Sequence, residues 1–488
     1  MTVPPTHGPG SGPHDPQDPD ALARMLGEMM GDPSLADNPQ VRDALRQLGM
    51  EQLDPTQLAM VRQQVQAMFA GPAPEGAIDD AVALDLARKR VAQGGDAVVG
   101  DADRRSHADA IHVAQLWLDQ VTAMEAAPSP DAVWSRAEWV EATMPTWIEL
   151  VTPVADGVTA AMTTAMRGQL DDLAEHGGLE QLSRTPGMPQ LPQGLDPTAM
   201  MAQMGPMVHR MGAAMFAAQT AEAVGGLSED LVSGTEVGLP LVPGHAVALL
   251  PSGIRALSEG LEVDPAEVRL YLAAREAARS RLFTAAPWLT ASLTAAVQAY
   301  ARDISIDVEG ISARMSTVDP SDPAALQEAL GSTLFTPEPS EAQLRALASL
   351  ETLLALVEGW VDVVADRATR QHLPEAAALG ETVRRRRATG GPAERAFAQL
   401  VGLELRPRRL RDAANLFAAL EDAGGQELRD SVWAHPDVAP TGDDLDDVLG
   451  YVERVRAGQG DDLDAELDRL LSEGREDRSG DDATDGRA

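Results

Sequence analysis

The sequence predicts a mainly α-helical protein, and three observations lead to that prediction. Aromatic residues make up only 3% of a chain in which 44% of the residues are hydrophobic, so its core must consist of Ala, Leu, Val and Met. Apart from Val, these residues favour helices over strands. Apolar residues recur at helical spacing from about Ala77 to Gly458. Strands and helices do not alternate, which argues against a doubly wound sheet.

The chain is predicted to consist of a helical body with three segments outside it. Residues 1–20 are rich in Pro, Gly and Asp, and residues 458–488 are acidic and rich in Gly, so both ends are expected to be disordered tails. Short helices and a linker are expected over 21–75, and the helical body over 76–457. Five methionines of the N-terminal helices offer an adaptable apolar surface: Met25, Met29, Met30, Met60 and Met68.

Several predicted helices of the body begin at the punctuation that helices favour, namely Ser129-Pro130, Asp264-Pro265 and Asp322-Pro323. The predicted helices span 79–94, 103–125, 130–143, 147–176, 197–224, 265–282, 289–302, 323–330, 340–370, 374–387, 392–401 and 407–422. One stretch, Val237–Leu250, is strand-like on both sides of Pro243-Gly244. The sequence therefore predicts a multi-helix body with at most a small β-hairpin.

Composition disfavours several classes of function. The net charge of −37 disfavours nucleic acid and anionic membranes as partners. The absence of cysteine excludes disulfides, thiolate zinc sites and cysteine nucleophiles. The first residues lack the basic and apolar regions of a signal peptide, and no apolar run is long enough to span a bilayer. A cytoplasmic location is the expectation that follows.

The most informative segment is Arg275–Arg279, with the sequence Arg-Glu-Ala-Ala-Arg, inside the helix predicted over 265–282. In zinc peptidases the motif H-E-x-x-H places two histidine ligands at i and i+4, with a general-base glutamate beside the first. Glu276 occupies the position of that base. Arg275 and Arg279 occupy the positions of the ligands, although arginine stays protonated and cannot ligate a metal.

Glu358 is the second candidate, at the edge of the apolar side of the helix predicted over 340–370. In one class of zinc peptidases a glutamate on a second, downstream helix is the third ligand. Two arginines and two glutamates sum to zero charge, as a zinc ion with two glutamates would. We therefore hypothesise that a guanidinium–carboxylate cluster has replaced the metal and joins the two helices. The alternative is that Arg275 and Arg279 extend to the surface along their aliphatic stems.

Six segments of the chain carry a resemblance to known proteins: Trp134–Val140, Gly260–Val263, Glu267–Ala278, Pro287–Leu289, Leu356–Asp362 and Thr382–Glu394. They resemble a family of zinc-dependent metalloproteases, also described as hydrolases, that is found mainly in actinobacteria and has a relative linked to coenzyme F420 biosynthesis. The resemblance covers about residues 77–440. It implies a zincin-like fold, with Glu276 as a catalytic general base and Glu358 as a candidate metal ligand. It fails at Arg275 and Arg279, where family ligands would stand.

Three functions remain open on this basis. The first is a catalytically impaired or inactive family member, with no cofactor expected and an unknown protein or peptide as partner. The second is an active zinc-dependent hydrolase, with Glu276 as general base and an atypical ligand set that includes Glu358. The third is a helical protein-interaction module that uses the methionine-rich N-terminal helices. Whether the protein is an enzyme is thus left undecided.

Two further groups of residues bear on function. Arg384–Arg387 forms a basic run that fits the end of a helix, where cations complement the macrodipole, or a site for an anionic ligand or for an acidic segment of the same chain. His107 and His112 do not share a helical face, because a spacing of five residues turns the helix well away from the starting side. A metal site rebuilt from distant histidines stays open.

Overall fold

A computed structural model describes residues 76–175, 197–302, 339–388 and 409–460, together with Phe397, Ala398 and Leu400. The predicted N-terminal tail and short helices (1–75), the predicted helix 323–330 and most of 392–401 lie outside these residues. So does the predicted C-terminal tail, apart from residues 458–460, which end a helix.

The described part of the chain is 74% helical, which confirms the predicted mainly helical fold class. Its α-helices are α1 Asp80–Gly94, α2 Asp101–Leu118, α3 Arg136–Glu175, α4 Pro197–Leu227, α5 Pro251–Ser258, α6 Pro265–Ala285, α7 Pro287–Arg302, α8 Glu341–Thr369, α9 Ala376–Ala388, α10 Leu410–Ser431, α11 Gly442–Asp446 and α12 Val448–Gly460. The described residues also form two short strands, β1 Ala132–Val133 and β2 Ala248–Leu249, and a 3-10 turn over Pro243–His245. Within the described residues, none of these helices is both long enough and apolar enough to cross a membrane.

The predicted β-hairpin in Val237–Leu250 is wrong. Strand β2 pairs in parallel with β1, so that Ala132 faces Ala248 and Val133 faces Leu249. A parallel pair needs a long connection, and more than one hundred residues of chain separate these strands. Leu249 does lie in a strand, as the sequence predicts. Its partner strand, however, comes from a distant segment for which the sequence predicts a helix beginning at Pro130.

Two predicted helices, 130–143 and 147–176, form one continuous helix, α3, which contains Pro145 and Pro153. Proline removes a helical hydrogen bond and usually ends or kinks a helix. Here the apolar face continues across Pro145, since Trp139, Met144 and Trp147 are all buried in one core. Tertiary packing of that face accounts for the continuity that local sequence argued against.

The chain divides into two compact units. The larger comprises Glu75–Ala161, Met211–Ile306 and Phe335–Ala488, and it contains every site residue discussed below. The other comprises Met1–Pro74, Met162–Arg210 and Asp307–Leu334; its described part consists of helical stretches at the end of α3 and the start of α4.

Helix α6 lies at the centre of the larger unit. Asp264 caps its N-terminus by accepting from the Ala266 amide at 2.8 Å, and Pro265 occupies the first turn, where its missing N–H has no consequence. An amphipathic surface helix would bury one stripe, yet α6 is buried without a break from Tyr271 to Phe283. It packs against α2 and α8. Its polar residues at 275, 276 and 279 are therefore placed inside the core.

Helix α8 presents the facing surface. A capping box of Ser340 and Gln343 fixes its start. Its centre packs closely on α10, because a Cβ at Gly359 would come within 2.6 Å of the Ala413 Cβ. Glycine at 359 thus permits the close approach that keeps the residues beside it, Glu358 and Trp360, in the interior.

Candidate functional site

The candidate site is a buried cluster of charged side chains between α6 and α8. Arg275, Glu276 and Arg279 of α6 have side-chain exposures of 3%, 0% and 2%, and Glu358 of α8 has 3%. The arginines do not extend to the surface along their stems. Arg275 and Arg279, four residues apart, lie on the surface of α6 that faces α8, while Glu276 turns toward the loop before α5.

Glu358 joins both arginines. Its Oε1 accepts from Arg279 Nε at 2.7 Å, and its Oε2 accepts from Arg275 Nη2 at 3.0 Å. Arg279 also donates from Nη1 to Glu276 Oε2 at 2.8 Å. Arg279 thus bridges the two glutamates. The four residues singled out in the sequence therefore form one connected network of charge-assisted hydrogen bonds.

Three residues outside the motif extend the network: Asp362, which sequence reasoning missed, and Arg384 and Arg387 of the basic run. Asp362 accepts from Arg275 Nη1 at 2.8 Å and from Arg384 Nη1 at 3.0 Å. Arg387 Nη2 lies 3.0 Å from Glu358 Oε2. Asp362 stands one helical turn after Glu358, a spacing that could have identified it. Arg384 and Arg387 come from the basic run, and both pair with carboxylates of the same chain.

A loop between α4 and α5 encloses Glu276. The Thr235 amide donates to Glu276 Oε1 at 2.8 Å, and the Ser233 and Thr235 hydroxyls donate to Oε2 at 2.7 and 2.8 Å. Gly234 allows this approach, because a Cβ there would lie 2.5 Å from Val242 Cγ2 and 3.2 Å from Glu276 Oε1. Both oxygens of the candidate general base are therefore occupied by donors of the same chain.

The pKa values of the two glutamates are shifted in opposite directions. Burial raises the pKa of Glu358, but Arg279, Arg387 and Arg275 outweigh that effect and hold it at about 2. Burial dominates at Glu276 and raises its pKa, although Arg279 and the Ser233 and Thr235 donors oppose the change. Burial also lowers the pKa of Arg387 to about 10, in spite of its contact with Glu358. Glu358 is thus the firmly ionised centre of the cluster.

The low pKa of Glu358 predicts an acid-sensitive contribution to stability. Its ordinary value is 4.5 and its value in the folded protein is about 2, so the contribution is fully present above pH 4.5 and is lost as the pH falls to about 2. Glu276 acts in the opposite direction, because a raised pKa makes its protonation favour the folded state. We expect the wild type to lose more unfolding free energy than Glu358→Gln between about pH 6 and about pH 3, as measured by urea denaturation. Equal losses would contradict this assignment.

A zinc ion does not fit these side chains. Zinc requires lone pairs from imidazole, thiolate or carboxylate, whereas the guanidiniums of Arg275 and Arg279 offer only N–H donors and positive charge. The carboxylate oxygens of Glu276 and Glu358 already accept hydrogen bonds. Among the residues that the structure describes, no group of three or more His, Asp or Glu side chains could hold a metal ion.

The family of the chain follows from a comparison with family models. The model described as zincin-like metallopeptidase matches residues 78–452. The chain belongs to the zincin-like metallopeptidase family. This result confirms the family predicted from the sequence segments; the links to actinobacteria and to coenzyme F420 stay predictions.

One solved structure is similar to this family member. It is described as a putative hydrolase with a novel fold from Chloroflexus aurantiacus, with a TM-score of 0.51 and 15% sequence identity. The match covers 78% of this chain and 99% of the other. At that identity the likeness concerns the fold alone. No curated protein matches the sequence.

Within the described residues, the histidines of this family member do not form a metal site that would compensate for the missing ligands. His107 is buried, and its Nδ1 lies 2.8 Å from the Asp103 carbonyl oxygen. His245 packs against Phe283 in a turn where its φ is 54°, a left-handed conformation that is uncommon outside glycine. Burial lowers the pKa of both imidazoles. The two histidines thus lie in separate environments, one against Asp103 and the other against Phe283.

Proposed function

We propose that the chain is a non-catalytic member of the zincin-like metallopeptidase family, in which a guanidinium–carboxylate cluster takes the place of the zinc centre. One observation carries the proposal: Arg275 and Arg279, at the two ligand positions, both bind the carboxylate of Glu358, at the third. The charged side chains of the cluster join α6 to α8, as a shared metal ion would do in a zinc site.

The environment of Glu276 supports the absence of catalysis. A general base must reach a water molecule or substrate through a free oxygen lone pair. Glu276 is 0% exposed, and four hydrogen bonds converge on its two oxygens. In this conformation the carboxylate stabilises the fold and has no access to a substrate. What remains available for function is the exterior of the body, for which an unknown protein or peptide is the proposed partner.

The competing proposal is an active zinc-dependent hydrolase with Glu276 as general base and Glu358 in an atypical ligand set. Membership in a metallopeptidase family favours it. It requires Arg275 and Arg279 to leave Glu358, and so to break two short ion pairs inside the core. A third proposal, an interaction module built on the methionine-rich N-terminal helices, concerns residues outside those described.

Peptide hydrolysis separates the first two proposals. We expect purified wild-type protein with added zinc to cleave casein and a mixed peptide library no faster than the matched variant Glu276→Gln. The amide keeps the size of the side chain but cannot act as a base. Cleavage that requires zinc and disappears in Glu276→Gln would instead establish the hydrolase.

A further inference from the structure

A short loop segment over Glu276 is bounded by two glycines. Gly234 stands where a Cβ would collide with Val242 Cγ2 at 2.5 Å, and Gly238 has a φ of 82° and lies against Leu354. Both positions depend on glycine, the first for close approach and the second for a left-handed backbone. Glycines at both ends are a common arrangement for a segment that changes conformation as a unit.

The chain before this segment is held by backbone hydrogen bonds, whereas the segment itself also bonds to charged side chains. Before it, the Val232 carbonyl accepts from Leu250 N at 3.0 Å and Gly234 N donates to the Ala248 carbonyl at 2.9 Å, so the backbone pairs with the β2 region. Within it, Thr235 N donates to the Glu276 carboxylate, and the Glu236 carbonyl accepts from Arg387 Nη2 at 2.6 Å. Charged side chains thus anchor Thr235 and Glu236, whereas Val237 packs in the hydrophobic core at 5% exposure.

Two arginines at the end of α9 provide the outer anchor. Arg386 Nε donates to Glu236 Oε1 at 3.2 Å, and Arg386 Nη2 also donates to the Asp230 carbonyl. Glu236 Oε2 accepts in turn from the Val232 amide at 2.7 Å. Arg386 and Arg387 are 26% and 16% exposed, whereas Glu236 is 10% exposed. The arginines thus form the layer between the segment and water.

We propose that Thr235–Gly238 is a lid over Glu276, and that Arg386 and Arg387 of α9 are the latch that keeps it closed. Thr235 supplies two of the hydrogen bonds to Glu276, so opening of the lid gives water access to a carboxylate that is now 0% exposed. Opening also requires Val237 to leave the core, so it is a local unfolding event whose frequency the latch controls. The lid goes beyond the proposed loss of catalysis and does not depend on whether the chain binds metal.

Amide hydrogen exchange on the full-length protein tests the lid. In Arg386→Ala/Arg387→Ala we expect the amides of 235–238 to exchange at least about tenfold faster than in the wild type, while those of α6 keep their protection. The matched control is Arg385→Ala, since Arg385 is 77% exposed and pairs with Glu381 of its own helix at 2.8 Å. Its lid amides should exchange at the wild-type rate.

Carboxyl labelling with a carbodiimide and an amine provides a second readout. Glu276 should be labelled in the latch variant and protected in the wild type and in Arg385→Ala. Unchanged exchange at the lid, or a loss of protection spread evenly over the larger unit, would overturn the proposal. If circular dichroism shows that the double variant does not fold, Arg386→Ala alone is used, because it keeps the ion pair of Arg387 with Glu358. An increase in exchange confined to the lid is again the expected result, and its absence rejects the latch.

Discussion

Replacing Glu358 by alanine is expected to lower the unfolding free energy by about 3–5 kcal/mol, the range found when one partner of a buried ion pair is removed. Three guanidiniums, those of Arg275, Arg279 and Arg387, contact this one carboxylate. Each keeps another acceptor in the variant, so the fold is retained. The centre of the cluster would nevertheless hold uncompensated positive charge away from water, and chemical denaturation followed by circular dichroism would measure the loss.

The matched control is Glu341→Ala at the start of the same helix. Glu341 is 93% exposed and pairs with Arg345 at 3.7 Å, so its removal should have a small effect, as exposed ion pairs usually do. Glu358→Gln should lie between the two, because the amide keeps its shape and one acceptor but not its charge. A Glu358→Ala protein no less stable than the Glu341→Ala protein would show that the cluster does not join the helices.

The double variant Arg275→His/Arg279→His is expected to gain a zinc site that each single variant lacks. The imidazoles would stand at i and i+4 on α6, facing Glu358, which is the ligand arrangement that zinc prefers. Imidazole is shorter than arginine, but a metal adds a bond of about 2.0–2.2 Å on each side. A zinc ion bound by the two imidazoles and Glu358 can therefore bridge the two helices, which N–O contacts of 2.7–3.0 Å join in the wild type.

Zinc titration against a chromogenic chelator would measure this gain, with one tight site per chain as the expected result. The control is the same pair of substitutions combined with Glu358→Ala, in which binding should weaken because the third ligand is missing. Binding that is equally strong without Glu358 would mean that the metal sits elsewhere, and that the cluster does not mark the position of the family's zinc centre.

The part of the site on α6 and α8 could be predicted from the sequence, because it depends on helical periodicity. Both helices carry local signals, Asp264-Pro265 before α6 and the Ser340 capping box before α8. The predicted spans, 265–282 and 340–370, differ from the observed ones by at most a few residues. Spacing of four residues then places Arg275 and Arg279 on one face. The contact with Glu358 followed from the motif and its resemblance to a zinc site.

The contacts made by the loop before α5 and by the end of α9 could not be predicted, because they join segments that are distant in the chain. Ser233 and Thr235 lie in a loop some 40 residues before Glu276 and belong to no helical or strand pattern. Arg387 fits the end of a helix equally well as a partner of the macrodipole or of a carboxylate. Only the packing of α9 beside the loop selects Glu358 and Glu236 as its acceptors.

The most direct test of the cluster is the zinc content of the wild-type protein. The protein would be purified without chelators from zinc-supplemented medium and analysed by plasma mass spectrometry, with the double histidine variant as the positive control. Because guanidiniums stand at the two ligand positions, we predict no zinc above the buffer blank. One zinc ion per wild-type chain that is lost in Glu358→Ala would contradict the replacement of the metal by arginine.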